Sequence, residues 1–268
     1  MVVHVLPSSI STRRCASPPV NDEIDRAIDV FVRGFSFTRS FTHPYEVACV
    51  GPLRVTRDSE RTSGDYRREE WIGRGVSAAE VDAIARRHTR GRFAVCDFLG
   101  AGEPDQSFRA AWKAAGYRLG ATEPLMVHDL KRIHRCDSPA NIERVTTQAL
   151  ADQLAKAARS RQVLGEHLAA GDDAPLRQYV AMIDEQIVGW VRSIMTPAGT
   201  WCSNMFVGST WRRRGIGRAM LSRMLRDDRD HGAELAALTA SHTGALLYPV
   251  VGYRQVATLY LYTPLKRH

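Results

Sequence analysis

The sequence predicts an α/β protein built on a mixed sheet. Three observations carry that expectation. Capped, helix-period segments alternate with short apolar runs of strand character; two β-rich runs flank a three-residue polar turn; and one seven-residue phrase recurs after a strand–helix pair in each half. A chain of 268 residues is long enough for two ordinary domains. Its composition, 44% hydrophobic and 25% charged, is that of a globular protein and argues against wholesale disorder.

Taken in order, residues 1–20 read as poorly ordered, ending at Pro18-Pro19. Asn21 or Asp22 then caps a helix whose apolar positions Ile24, Ala27, Ile28 and Phe31 recur at helical spacing. Residues 45–55 read as extended, and the strongly charged stretch 56–74 as an exposed loop or irregular helix. Ser77 stands three residues before Glu80, a capping box opening the next helix. A strand over 92–99 and a helix over 106–117 follow, the latter stopped by Gly116. Turn formers and charge after Leu130 place a linker at 131–140, dividing the chain into lobes of 1–130 and 141–268.

The second lobe opens with a short strand at 142–145 and a helical stretch over 147–169. Residues 176–195 read as a hairpin around Asp184-Glu185-Gln186, and 201–208 as another strand. The helix from about 214 carries Ile216, Met220, Leu221, Met224 and Leu225 on one stripe, opposite Arg223, Arg226, Asp227 and Asp230. A buried strand at 233–240, a short helix closed at Gly252, and two final strands complete the expectation. GYRLGAT (116–122) and GYRQVAT (252–258) match in five of seven positions, and each follows a helix that follows a strand. The two halves are therefore expected to be structurally related.

The net charge of +8 points to an anionic partner. The arginines are spread along both halves without an interleaved aromatic platform, so no nucleic-acid partner is expected. No stretch approaches the roughly 20 apolar residues that span a bilayer, so no membrane partner is expected either. Cys15, Cys49, Cys96, Cys136 and Cys202 are odd in number, scattered, and lack metal-ligand spacing. They read as buried or incidental thiols in a reducing, cytoplasmic setting, with no metal.

The densest positive charge lies in TWRRRGIGRAML (210–221), where Arg212, Arg213, Arg214, Gly215 and Gly217 precede an apolar helix. The first turn of a helix leaves N–H groups unpaired at its positive end. Glycine lets a phosphate reach them, and arginine adds bidentate donors around the rim. This is chemistry for gripping a diphosphate through the main chain. Neither a P-loop nor a dinucleotide fingerprint fits the spacing.

VGSTWRRRGIGRAML resembles the acetyl-coenzyme A signature of the GNAT superfamily of acetyltransferases, [RQ]-x-x-G-x-[GA], with Arg212, Gly215 and Gly217 in its defining places. YVAMIDEQIVGWVRS resembles that family's second and third strands, and SHTGALLYPVVGYRQVATLYLY its closing helix and strands. The likeness covers roughly 141–268. It implies a GNAT-type fold in two tandem lobes, acetyl-CoA as cosubstrate, and an amine acceptor. By position, the backbone of Phe206 and Val207 is implied to bind the pantetheine arm and acetyl carbonyl. The main-chain N–H groups from Arg213 through Arg214, Gly215, Ile216 and Gly217 to Arg218 are implied to surround the pyrophosphate. Ser241 stands where the family often has an asparagine at the pantetheine, and Tyr248 takes the place of the general acid. Glu166 and His167 border the acceptor side in such folds and are candidates for a base acting through water. Trp112 aligns with Tyr248 through the repeated phrase, and nothing before it matches the signature. The first lobe is therefore expected to be a degenerate copy unable to hold coenzyme A. An acyl-CoA-binding sensor without catalysis is the competing class.

Overall fold

A computed structural model describes residues 13–14, 22–241 and 244–265. The expectation for residues 1–20 therefore falls outside the described residues, except for the backbone of Arg13–Arg14. The first lobe runs β1 (Arg13–Arg14), α1 (Glu23–Arg39), β2 (Tyr45–Val50), β3 (Leu53–Asp58), β4 (Glu69–Gly73), α2 (Ala78–His88), β5 (Phe93–Gly100), α3 (Gln106–Ala114) and β6 (Tyr117–His128). The second runs β7 (Asn141–Arg144), α4 (Gln148–Ala158), α5 (Gly165–Ala169), β8 (Leu176–Ile183), β9 (Gln186–Thr196), β10 (Gly199–Val207), α6 (Ile216–Asp230), β11 (Ala236–Thr239) and β12 (Arg254–Pro264). Asp22 caps α1, its carboxylate accepting from the Asp25 N–H at 2.8 Å, and Ser77 caps α2 through the Glu80 N–H.

The twelve strands among the described residues join one sheet in the order β1-β2-β3-β4-β5-β12-β6-β11-β10-β9-β8-β7. The order reads alike from either end: β4–β5 and β10–β11 are both parallel, and every other neighbour is antiparallel. At the centre the lobes exchange their last strands. β6 pairs with β11 of the second lobe, and β12 with β5 of the first. The repeated phrase lies in this exchange. Gly116 and Gly252 are as far apart in sequence as Glu123 and Leu259, and Glu123 pairs with Leu259, so a local two-fold relates the two phrases.

Four expectations are corrected. The charged stretch 56–74 contains β4, every residue of which is buried. Its glutamates are partnered from far away: Glu70 takes a hydrogen bond from the Tyr45 hydroxyl (2.5 Å) and an ion pair from Arg39 (3.0 Å), while Glu69 takes the Arg90 N–H (3.0 Å). The two final strands are one, β12. The short helix before Gly252 is a pair of 3₁₀ turns, Gly244–Leu246 and Tyr248–Val251, because Pro249 supplies no N–H to an α-helical ladder. Among the cysteines of the described residues, Cys96, Cys136 and Cys202 are free, but Cys49 is disulfide-bonded and is not an incidental thiol.

Two helices sandwich the second lobe's strands. α1 lies across β9, β10 and β11, with Phe31 edge-on to Trp201 at 5.4 Å. On the other face Asp228 of α6 is fully buried and takes hydrogen bonds from Arg177 (2.8 Å), Ser193 (2.7 Å) and Thr200 (2.9 Å), pinning the helix to β8, β9 and β10.

Candidate active site

The parallel pair β10–β11 opens partway. It is registered only at Thr200–Ala236 and Trp201–Ala237. Beyond that, β10 carries a register shift between Ser203 and Phe206, with Asn204 at φ 53°, and runs on to Val207 without a partner on that side. The Gly208 N–H donates to the Val188 carbonyl at 2.8 Å. This sets the phase of the antiparallel ladder: Phe206 spends its amide on β9, and Val207 turns its N–H toward the opening. The Arg212 Nε donates to the Val207 carbonyl at 3.0 Å, tying the following loop to the strand end.

That loop enters α6 through Gly215, which sits at φ 82°, a left-handed conformation that suits glycine. The first helical bond runs from the Ala219 N–H to the Gly215 carbonyl (3.0 Å). No acceptor among the described residues takes the N–H groups of Arg213 through Arg218. A cleft of about 650 Å³ lies over this helix end. Of the residues singled out from sequence, Phe206, Val207, Arg212, Arg213, Gly215, Ile216, Gly217, Arg218, Ser241 and Tyr248 line it. Arg214 does not; its guanidinium lies over the Trp211 ring, 5.0 Å from the centroid. Cations at this rim and free amides at its floor make the cleft a receptor for a polyanion with an apolar tail.

The apolar side is what sequence reasoning missed. Met205, Trp211, Leu246 and Leu247 also line the cleft, and the tips of Met205 and Leu247 come within 3.1 Å of where a Gly217 Cβ would stand. Leu247 was within the quoted closing motif, but only the fold brings it to Gly217. Tyr248 is 8% exposed, and burial pushes its phenol above the ordinary tyrosine range. The Ser241 hydroxyl accepts from the Gly244 N–H (3.1 Å), which shapes the turn ahead of Tyr248. Glu166 and His167 do not line the cleft. His167 packs 5.4 Å from both the Phe37 and Phe41 rings, where burial lowers its pKa, and Glu166 is exposed.

Residues 175–255 match the acetyltransferase (GNAT) domain family. Over those residues the chain is similar to a GNAT acetyltransferase domain. Structural likeness extends the GNAT fold across both lobes. A GCN5-related N-acetyltransferase from Kribbella flavida superposes with a TM-score of 0.61 at 17% identity, covering 91% of this chain and 96% of the other. A tandem GNAT protein from the clavulanic acid biosynthesis pathway gives 0.52 at 13%, covering 93% and 89%. A GCN5-related N-acetyltransferase from Sphaerobacter thermophilus gives 0.53 at 18%, covering 81% and 79%. No curated protein matches the chain. The match to the GNAT domain family supports acyl transfer as the general reaction class.

The first lobe's corresponding place is built differently. β4 and β5 stay registered through five pairs, from Glu69–Phe93 to Gly73–Asp97. β4 ends at Gly73, and Ser77 caps α2 at once, leaving no room for a loop like 208–215. Trp112, 1% exposed, donates to Asp97 at 2.9 Å and stacks on Tyr262 at 4.8 Å, filling the space with side chains.

Proposed function

We propose that the second lobe transfers an acetyl group from acetyl-CoA to a primary amine by direct attack through a tetrahedral intermediate. The observation that carries this reading is the cleft in which the unpaired N–H groups of Arg213–Arg218, the Arg212 rim and the turned-out Val207 N–H meet Tyr248. The residues fit the ligand. The helix end and the arginines would hold the diphosphate. The strand end would hold the pantetheine and polarise the acetyl carbonyl. The acceptor nitrogen forms a bond to that carbonyl carbon, whose π pair moves to oxygen. Collapse restores the carbonyl and breaks the carbon–sulfur bond; one proton leaves the new amide nitrogen to water, and one is gained by the departing sulfur. Tyr248, kept protonated by burial, donates a hydrogen bond to that sulfur as negative charge builds on it. Residues 1–130 serve as a scaffold that holds no coenzyme A.

A sensor of acyl-CoA is the second reading, and it is favoured by one observation: among the described residues, no Asp, Glu or His lines the cleft. Two measurements separate the readings: calorimetric titration with acetyl-CoA, and thiol release across a panel of primary amines. We expect binding and acceptor-dependent release. For Tyr248→Phe we expect kcat lower by roughly tenfold to a thousandfold, about 1.4–4 kcal/mol of barrier, at unchanged acetyl-CoA affinity. Tight binding with no amine-dependent release supports the sensor, and no binding at all rejects both.

A further inference from the structure

On the face of the sheet that packs against α1, three directly paired residues form a polar row across β8, β9 and β10: Gln178, Arg192 and Ser203. Paired residues of antiparallel strands share a face, and Trp190, two positions along β9, shares it too. Four buried side-chain atoms of this row have no hydrogen-bond partner: Gln178 Oε1, Trp190 Nε1, Arg192 Nε and Ser203 Oγ. Buried polar atoms are nearly always satisfied, and four unpartnered ones gathered on one row can offer hydrogen bonds to a ligand.

Arg192 is the centre of the row. It is 7% exposed, and among the described residues it has no carboxylate partner. Its neighbours are neutral or aromatic. Nη2 donates to the Gln162 amide oxygen, the guanidinium lies 5.5 Å from the Phe41 centroid, and His167 beside it is held toward its neutral form by burial. Burial pulls the Arg192 pKa down to about 10. A guanidinium with no counter-charge in such a setting is costly unless a ligand brings the charge. Its Nε and Nη2 form the side-on fork that matches a carboxylate. The Gln162 oxygen, which also accepts from Asn204 at 2.5 Å, stands where one carboxylate oxygen would go. Among the described residues no second cation is paired with the same site, and one cation matches a single negative charge better than a phosphate.

The row leads to the cleft. Trp190 stacks on Phe206 at 4.3 Å, and Phe206 is the cleft residue paired to it across the strands. Two residues of strand put the Arg192 backbone about 7 Å from that of Trp190, a separation that a small amino acid can bridge. Acetyl-CoA would enter from the α6 face, and the row lies on the opposite face.

We infer that Arg192 is a specificity-determining residue that anchors the acceptor through a carboxylate, so the acceptors are amines that also carry a carboxylate. This rests on the acetyltransferase reading above. The test uses the full chain, acetyl-CoA, and amine pairs that differ only in the carboxylate: ethylamine against L-alanine, tyramine against L-tyrosine, cadaverine against L-lysine. We expect the wild type to favour the carboxylate member of at least one pair by about tenfold to a hundredfold in kcat/KM, the worth of one charge-assisted pair. Arg192→Met should erase that preference, Arg192→Lys should keep part of it, and both should bind acetyl-CoA as the wild type does. Removing a buried charge that lacks a counter-charge should leave the melting temperature of Arg192→Met unchanged or higher.

No carboxylate preference in the wild type, a preference that survives in Arg192→Met, or a melting temperature that falls steeply in that variant each overturns the inference. If no amine in the panel turns over, the same six compounds are tested by their effect on the melting temperature. A shift by the carboxylate members that is lost in Arg192→Met supports the anchor, and equal shifts for wild type and variant overturn it. Failure of acetyl-CoA to bind would instead remove the acetyltransferase reading, a result read separately by calorimetry.

Discussion

Gly217→Val separates binding from folding. Gly217 lies in the first turn of α6 with an ordinary helical backbone, and an added Cβ would meet Met205 and Leu247 only at the ends of their flexible side chains, 3.1 Å away. Replacing a helical glycine with valine recovers about 0.4 kcal/mol of propensity, against about 1 kcal/mol or less of crowding. The melting temperature should therefore move by no more than about 3 °C in a chain of this size. Binding is different. Gly217 lines the cleft, and two extra methyls beyond its Cβ stand between a diphosphate and the N–H groups of Gly217 and Arg218. Losing one or two charge-assisted hydrogen bonds, each about 1.5–3 kcal/mol, weakens acetyl-CoA binding roughly tenfold to a thousandfold or more. Titration calorimetry and a thermal melt on the same preparation check both numbers. Wild-type affinity in a well-folded Gly217→Val would refute the assignment of this helix end to the cofactor's phosphates.

Two further outcomes test the scaffold. Asp228→Ala strands the Arg177 guanidinium, which is 2% exposed, and two hydroxyls, so the stability loss should be about 3–5 kcal/mol, or roughly 6–20 °C in the melt; a fall under about 3 °C would show that the network carries little. Asp97 has its pKa raised to about 7 from 3.8, chiefly by burial, so the folded state holds its proton where the unfolded chain has lost it. Its contribution is present below pH 3.8 and is lost as pH rises through about 7, on the order of 4 kcal/mol in all. Asp97→Asn should flatten that part of the stability–pH curve, although it leaves either the Trp112 or the Phe98 N–H without an acceptor; an unchanged slope in denaturant titrations from pH 4 to 7 would refute the assignment.

What the sequence disclosed was local. Ser77 with Glu80, the polar turn at 184–186, and the glycines and arginines before α6 are signals whose partners lie within a few residues, and caps, turns and loop chemistry are decided at that range. β4 was hidden because its Glu70 carboxylate is paired with Arg39 and hydrogen-bonded by Tyr45, residues that only tertiary folding brings near. The apolar lining of the cleft was hidden for the same reason. The row at Arg192 needs the register of three strands before its members become neighbours, and a one-residue slip would send them to the other face. The exchange of β6 and β12 left one trace in the sequence, the repeated phrase, which gave the relation between the halves without the pairing.

That exchange explains why a lobe whose parallel pair stays closed stands beside one whose pair opens. β11, the strand from which β10 splays, has its other edge covered by β6 of the first lobe, from Thr239–Leu125 to Ala236–His128. His128 at the end of β6 meets the Val251 carbonyl at 3.1 Å, closing the turn that begins at Tyr248, and a Cβ on Gly252 would collide with that imidazole at 2.7 Å. β12, which leaves this turn, is in its turn held by β5. A parallel pair that opens has given up ladder bonds along half its length, and such an opening keeps its shape only if its other borders are fixed. Here every fixed border of the opening on the β11 side comes from the first lobe. The closed β4–β5 pair, packed by Trp112 and Asp97, is the rigid half against which the second lobe can stay open.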